Sequence, residues 1–184
     1  MAYITENELR SRSSIAKSKH YAKTSNQILN ESFRNFSSTK VYDIFLSHSF
    51  KDSDLILGLK EYLESELSLS VYVDWIEDSQ LNRTKVNGET ANILRTRMRT
   101  CKALIYAVSN NSTESRWMPW ELGYFDGNKN GKVAILPIIS NSSNQFQGEE
   151  YLQLYQYIEK IPKTLSYERD KLKINGNDLK NWVG

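Results

Sequence analysis

The chain has 184 residues, of which 25% are charged and 39% hydrophobic, with a formal net charge of +2. That is the balance of one ordinary globular domain with an appendage, long enough to bury a sizeable core. No apolar run approaches the roughly 20 residues that cross a bilayer, and the opening residues lack the basic start and apolar stretch of a secretory signal.

A single cysteine, Cys101, excludes an internal disulfide and fits a reducing cytoplasm, which is the compartment expected here. With only two histidines beside it, the sequence argues against a zinc site built of Cys and His alone. Charge is unevenly spread. Residues 1–40 hold seven Lys/Arg and three Asp/Glu, whereas the remainder holds 17 basic and 19 acidic residues. The basic residues of the first segment are scattered rather than clustered, so a solvated, partner-seeking helix is expected rather than nucleic-acid binding.

Residues 1–40 read as a basic helical extension, and 41–184 as the main domain. Thr5 and Glu8 have capping-box spacing. Ile4, Leu9, Ile15 and Ala16, then Ile28, Leu29, Phe33 and Phe36, form two loosely amphipathic stretches, followed by a Ser37-Ser38-Thr39 hinge. Too few apolar residues are present for this arm to fold alone. It is expected to dock on the domain, pair with another copy, or remain partly disordered.

From Val41 onward strands and helices alternate, which predicts a mostly parallel sheet covered on both faces. The first strand is 41–47, ending in Ser47-His48-Ser49. A helix over 52–67 turns Leu55, Leu59, Tyr62 and Leu63 inward. A second strand, 70–74, ends in Asp74 and opens into a long polar loop, 75–88. A helix over 89–100 follows, with Ile93, Leu94 and Met98 inward, then a third strand, 103–108, continuous enough to be central. The loop 110–114 leads to a short helix, 117–125, closed by Gly127, and the fourth strand, 132–138, terminates at Pro137. A Tyr- and Leu-rich helix is expected over 148–161, then a strand near 172–174 and a closing helix at 178–183. The order is flavodoxin-like: five strands in an α/β sheet with helices on both faces, plus the N-terminal helical extension.

In such sheets ligands sit at the carboxyl edge. The backbone N–H groups and hydroxyls of Ser47, His48 and Ser49 there suit a phosphate or ribose, although His48 equally suits tying its own loop. No nucleophile–His–acid triad is apparent, since Ser47-His48-Ser49 is too local for three groups that must converge. Neither a Gly-x-Gly-x-x-Gly nor a Walker sequence is present, which disfavours a dinucleotide dehydrogenase or a P-loop ATPase.

Three segments in order resemble the TIR (Toll/interleukin-1 receptor) domain. They are Tyr42-Asp43-Ile44-Phe45-Leu46-Ser47-His48-Ser49, then Val71-Tyr72-Val73-Asp74 leading into the long loop, and Ser115-Arg116-Trp117-Met118-Pro119-Trp120-Glu121-Leu122. The likeness covers 41 to about 183 and is greatest to small bacterial TIR proteins, including antiphage NADases such as the signal-producing subunits of Thoeris-type defence systems. It implies an enzyme that takes NAD+ as substrate, needs no further cofactor, breaks the nicotinamide–ribose bond, and releases ADP-ribose or a cyclic ADP-ribose isomer as an immune signal to a separate effector. Self-association through TIR domains would activate it. The alternative is a non-catalytic TIR–TIR interaction module, and a third reading is a sensor of a nucleotide derivative.

The resemblance also assigns roles. Its essential glutamate falls on Glu89, at the start of the helix after the long loop. Asp74 matches the family's acidic position and would fix that loop, with substrate contact second. Trp75 would supply an aromatic surface, because the family's Trp four residues before the glutamate is here Lys85. Arg83 and Lys85 would meet the pyrophosphate or simply solubilise the loop. From residue type and spacing alone, Trp117, Trp120 and Glu121 are expected to anchor their helix, and Cys101 to fill the core.

Overall fold

The alternation builds one eight-stranded sheet in the computed structural model, which describes residues 2–21, 23–34, 39–74, 88–141, 146, 148–163 and 171–184, with backbone alone at 33, 34, 89 and 90. In chain order the elements are β1 (Ile4–Thr5), α1 (Glu6–Lys19), α2 (Ser25–Arg34), β2 (Tyr42–Ser47), α3 (Ser53–Ser65), β3 (Val71–Val73), α4 (Gly88–Arg99), β4 (Cys101–Val108), α5 (Trp117–Asn128), β5 (Val133–Ile139), β6 (Gln156–Ile161), β7 (Lys171–Ile174), β8 (Asn177–Asp178) and α6 (Leu179–Val183). Strand order is β3-β2-β4-β5-β6-β7-β8, with β1 also on β5. Pairing is parallel from β3 to β6 and antiparallel across β6–β7–β8. The α/β expectation therefore holds, with β1, β6 and β8 added to the five strands.

Alternation along the central strands splits the core in two. Ile44, Leu46 and Ile105 face α1, α2, α3 and α6, whereas Phe45, Leu104 and Ile135 face α4 and α5. Leu55, Leu59, Tyr62 and Leu63 are buried as expected from α3, and Leu94 and Met98 from α4, while Ile93 is only half-buried.

Two expectations need correction. Residues 148–161 are not a helix: a 3-10 segment (Glu150–Leu154) is followed by β6, whose Ile158 lies opposite Ile174 of β7. The Tyr/Ile-rich second half has β-favouring side chains, and the sheet edge offers them a partner. The fourth strand also runs through Pro137 to Ile139. Lys132 accepts from Leu104 on β4, so by alternation Pro137 faces the other edge. Along that edge β6 pairs with Ala134 and Ile135 and β1 with Ile138 and Ile139, so Pro137 stands between the two partners. Its missing N–H costs no ladder bond there.

The N-terminal arm docks. Thr5 and Glu8 form the capping box, Glu8 N donating to Thr5 Oγ1 (3.4 Å) and Thr5 N to Glu8 Oε2 (2.8 Å). Ile4, Leu9, Ala16, Ile28 and Leu29 join the main core cluster, while Ile15, expected on the same stripe, is 53% exposed. Lys17 and Arg10 reach Asp54 of α3 at 3.1 and 3.9 Å, and Arg12–Glu66 and Lys19–Glu61 pair alongside. Such surface pairs contribute about 0–1 kcal/mol each, so the apolar stripe supplies the docking energy and the charges set its register. Phe36, the Ser37-Ser38 part of the hinge and most of the long loop (75–87) lie outside the described residues.

This seam has a pH signature. Burial works to raise the Glu8 carboxyl, but hydrogen bonds from Lys160 and Thr5 outweigh it and hold the pKa below its ordinary 4.5. The Ser25 hydroxyl leads in holding Asp54 below 3.8, aided by Lys17. Both groups favour the folded form when ionised, so their contribution is complete above those ordinary values and falls away as pH drops through the lower folded ones. The expected result is a urea midpoint that declines on acidification below those values, with the decline flattened in the Glu8→Gln, Asp54→Asn double variant.

Cys101 opens β4 and is fully buried, as expected of a core filler. Burial pushes its thiol up to about 12, so almost no thiolate exists near neutral pH. A thiol reagent is expected to label the native protein at no faster than its unfolding rate, and to react at once in urea.

Candidate functional site

The strand order reverses direction between β2 and β4, and the loops leaving those two strands frame a crevice at the carboxyl edge of the sheet. Ser47 is the last residue of β2 and continues the face of Phe45, toward α5. Its hydroxyl donates to the Glu121 carboxylate at 2.6 Å, and the two residues are 1% and 2% exposed. Glu121 is carried there by α5, whose Met118, Leu122 and Phe125 bury at helical spacing and whose Trp117 lies one turn before it. Pro119 falls in the first turn, where its missing N–H is harmless.

His48 and Ser49 follow in the loop, each 3% exposed. His48 Nδ1 lies 2.9 Å from the carbonyl of Leu46. A carbonyl only accepts, so Nδ1 carries the proton of this bond. This contact favours the loop-tying reading of His48. Ser49 accepts from Asp52 N at 3.1 Å, starting the 3-10 turn Phe50–Asp52. Asp52 then reaches across the crevice: Ser109 Oγ donates to its Oδ2 and Asn111 Nδ2 to its Oδ1 at 2.6 Å. A buried carboxylate thus clamps the loop after β2 to the loop after β4. Sequence reading passed over Ser109 and Asn111, whose only signal was to be polar residues just beyond a strand end.

Asp74 directly follows β3 and is fully buried. Its Oδ1 accepts from Arg97 Nη1 of α4 at 2.8 Å and from the Tyr72 hydroxyl at 3.0 Å. Burial first, then Asp74 beside it, holds the Tyr72 phenol well above its ordinary pKa, so it remains a donor. These contacts of Asp74 secure α4. α4 is also braced to α5: the Arg95 guanidinium lies 5.4 Å from the centre of the Trp120 ring, which stacks on Tyr124. Trp117 is buried and meets Trp120 edge-on at 5.5 Å, so both rings pack as anchors of α5.

Glu89 is the second residue of α4, so its backbone enters at the same carboxyl edge, where the positive end of the helix favours an acid. Its side chain, with Trp75, Arg83 and Lys85, lies outside the described residues. Among the described residues no group of three or more His, Cys, Asp or Glu could hold a metal, and no helix is long and apolar enough to cross a membrane.

Against this geometry, the family model described as "TIR domain" matches residues 44–170, well over half of the chain. The chain is a TIR-domain protein. The match spans the Ser47 strand end, Asp74 and the α5 helix that carries Glu121. This TIR protein is 54% identical, over 165 residues covering 87% of it and 84% of the relative, to a protein of Bacillus cereus (strain MSX-D12) named "Probable 3' cyclic ADP-D-ribose synthase ThsB'". It is also 40% identical over 91 residues to "Putative cyclic ADP-D-ribose synthase TIR2" of Cytobacillus dafuensis, covering 49% of the chain and 24% of that longer protein. The bacterial TIR resemblance in the sequence is therefore confirmed.

Proposed function

We propose that this TIR protein cleaves the nicotinamide–ribose bond of NAD+ and joins the ribosyl carbon to the adenosine half of the same molecule, giving a cyclic ADP-ribose that signals in antiphage defence. The relative that matches most of both chains is named for that kind of product. The structural observation that carries the reading is the buried Ser47–Glu121 pair at the crevice.

The chemistry asks little of the protein. Nicotinamide leaves as a neutral molecule with the bonding electron pair, so no general acid is needed. The ribose carbon becomes oxocarbenium-like, and a fixed carboxylate nearby stabilises it. A hydroxyl of the adenosine half then forms the new C–O bond and gives its proton to a base. The products are cyclic ADP-ribose, nicotinamide and H+. If water attacks instead, the product is linear ADP-ribose. Glu121 is the carboxylate supported by the described geometry, and Glu89 is the second candidate from the same edge. Ser47 holds the Glu121 carboxylate in one orientation, while Ser49, Trp75 and Arg83 remain proposed substrate contacts. Activation by self-association and release of the product to a separate effector belong to the same proposal and rest on the family resemblance.

The test is incubation of concentrated protein with NAD+, with and without lysate from phage-infected cells, with products resolved by mass spectrometry. Nicotinamide release with a cyclic product is the expected result. A folded, concentrated sample with no turnover in either condition points instead to the non-catalytic interaction module.

A further inference from the structure

A cavity of about 540 Å³ opens beside the crevice, at the carboxyl ends of β4 and β5. Its size is that of a small-molecule site. The described walls mix aromatic and aliphatic surface from Tyr106, Ile139 and Phe146 with the polar groups of Ser109, Thr113 and Glu149. Neither Lys nor Arg is among the described lining residues, so the described walls offer no cation to a phosphate. A carboxylate at the rim and fixed hydroxyls instead select an uncharged ligand rich in N–H or O–H donors. Flat apolar walls select a ring.

Two connections tie this cavity to the crevice. Tyr106 lies opposite Ser47 in the β2–β4 register, so one wall is a single strand away from the Ser47–Glu121 pair. Burial raises the Tyr106 phenol, and the Tyr151 hydroxyl 3.3 Å away adds to the shift, so Tyr106 keeps its proton. Ser109 is fixed by donating to Asp52, the residue that clamps the crevice loops. The N-terminal arm completes the far wall: β1 pairs with Ile138 and Ile139, and Tyr3 meets Phe146 edge-on at 6.2 Å.

The geometry points to this cavity as a purine-nucleoside subsite that holds the adenosine half of NAD+ folded back toward the ribosyl carbon. The inference rests on the NAD+ reading above and adds what decides between cyclisation and hydrolysis. Hydrolysis needs only water at the ribosyl carbon. Cyclisation needs the adenosine half held within reach, an advantage of proximity that a dedicated subsite supplies.

The experiment uses the full chain and adenosine as the probe, with binding followed by calorimetry or NMR. Thr113→Trp, at an exposed rim position, fills the cavity, and Ser140→Trp does so from the β5 side should the first variant fail to fold. Wild-type protein is expected to bind adenosine, and a folded filled variant to bind it at least about tenfold more weakly, as removal of a shape-fitted site implies. In NAD+ turnover the same variant is expected to shift the product from cyclic toward linear ADP-ribose. Undetectable adenosine binding by wild type, or equal binding by the filled variants, overturns the subsite. Weakened adenosine binding with an unchanged product ratio overturns its assignment to the substrate's adenosine half. The binding measurement requires no turnover, so failure of the NAD+ reading is separately visible as absent nicotinamide release.

Discussion

Glu121→Gln is expected to lower nicotinamide release from NAD+ by about 10²- to 10⁴-fold with little change in thermal stability, the range seen when a carboxylate aimed at developing charge is neutralised. The amide keeps the shape and can still meet the Ser47 hydroxyl, so packing around α5 is preserved while the negative charge is lost. Ser47→Ala removes only the donor that orients the carboxylate, and roughly a tenfold loss is expected, the scale of one hydrogen bond to a charged group. Glu89→Gln decides between the two candidates. A smaller effect than that of Glu121→Gln assigns the ribosyl cation to Glu121, and the reverse order returns it to Glu89. The measurement is nicotinamide appearance at saturating NAD+, with near-UV circular dichroism showing that each variant is folded.

Why the sequence leads first to Glu89, and the geometry to Glu121, has a physical explanation. By residue type alone Glu89 suits the positive end of its helix, and only the resemblance makes it a site residue, whereas Glu121 sits inside an aromatic helix whose neighbours Trp117, Leu122 and Phe125 read as core. Only register places Glu121 against Ser47, 74 positions away. The Asp52 clamp was hidden for the same reason, because its partners Ser109 and Asn111 belong to a different strand's exit loop. Strands with continuous apolar runs, β2 and β4 above all, were legible because burial on both faces leaves few other readings. The segment that became β6 was not. Tyr151, Leu154, Tyr155 and Ile158 repeat at helical spacing, and it takes partners on both sides, Ala134 and Ile135 on β5 and Ile174 on β7, to make the strand worth forming. The two-residue β1 carries no periodicity at all. It exists because β6 leaves the end of β5 unpaired, at Ile138 and Ile139.

That strand and the helix after it depend on one contact whose removal is expected to have the largest structural effect. α3 carries Gly58 in mid-helix, where glycine costs roughly 1 kcal/mol relative to alanine. The reason lies on α1: a Cβ at position 58 would stand 1.9 Å from the backbone oxygen of Leu9 and 2.7 Å from its carbonyl carbon. Backbone cannot swing aside as a flexible side chain can. Gly58→Ala must therefore push α1 away from α3, opening the seam that buries Leu9 and Ala16 and aligns Lys17 with Asp54. The expected cost is about 2–3 kcal/mol, the upper range for overpacking, despite the gain in helix propensity. Gly123→Ala is the matched control: also mid-helix, in α5, it meets nothing within 4 Å, and a gain of about 0.5–1 kcal/mol is expected there. Urea midpoints give the two signs directly. Limited proteolysis locates the damage, with Gly58→Ala expected to expose residues 6–34 to cleavage while the sheet survives. Equal midpoints for Gly58→Ala and wild type, with the arm still protected, would show that α1 is not seated on α3. The seam also bears on the chemistry, because displacing α1 loosens β1 and with it the Ile138–Ile139 wall of the cavity beside the crevice. Gly58→Ala is therefore expected to move the product balance in the same direction as filling that cavity, from cyclic toward linear ADP-ribose.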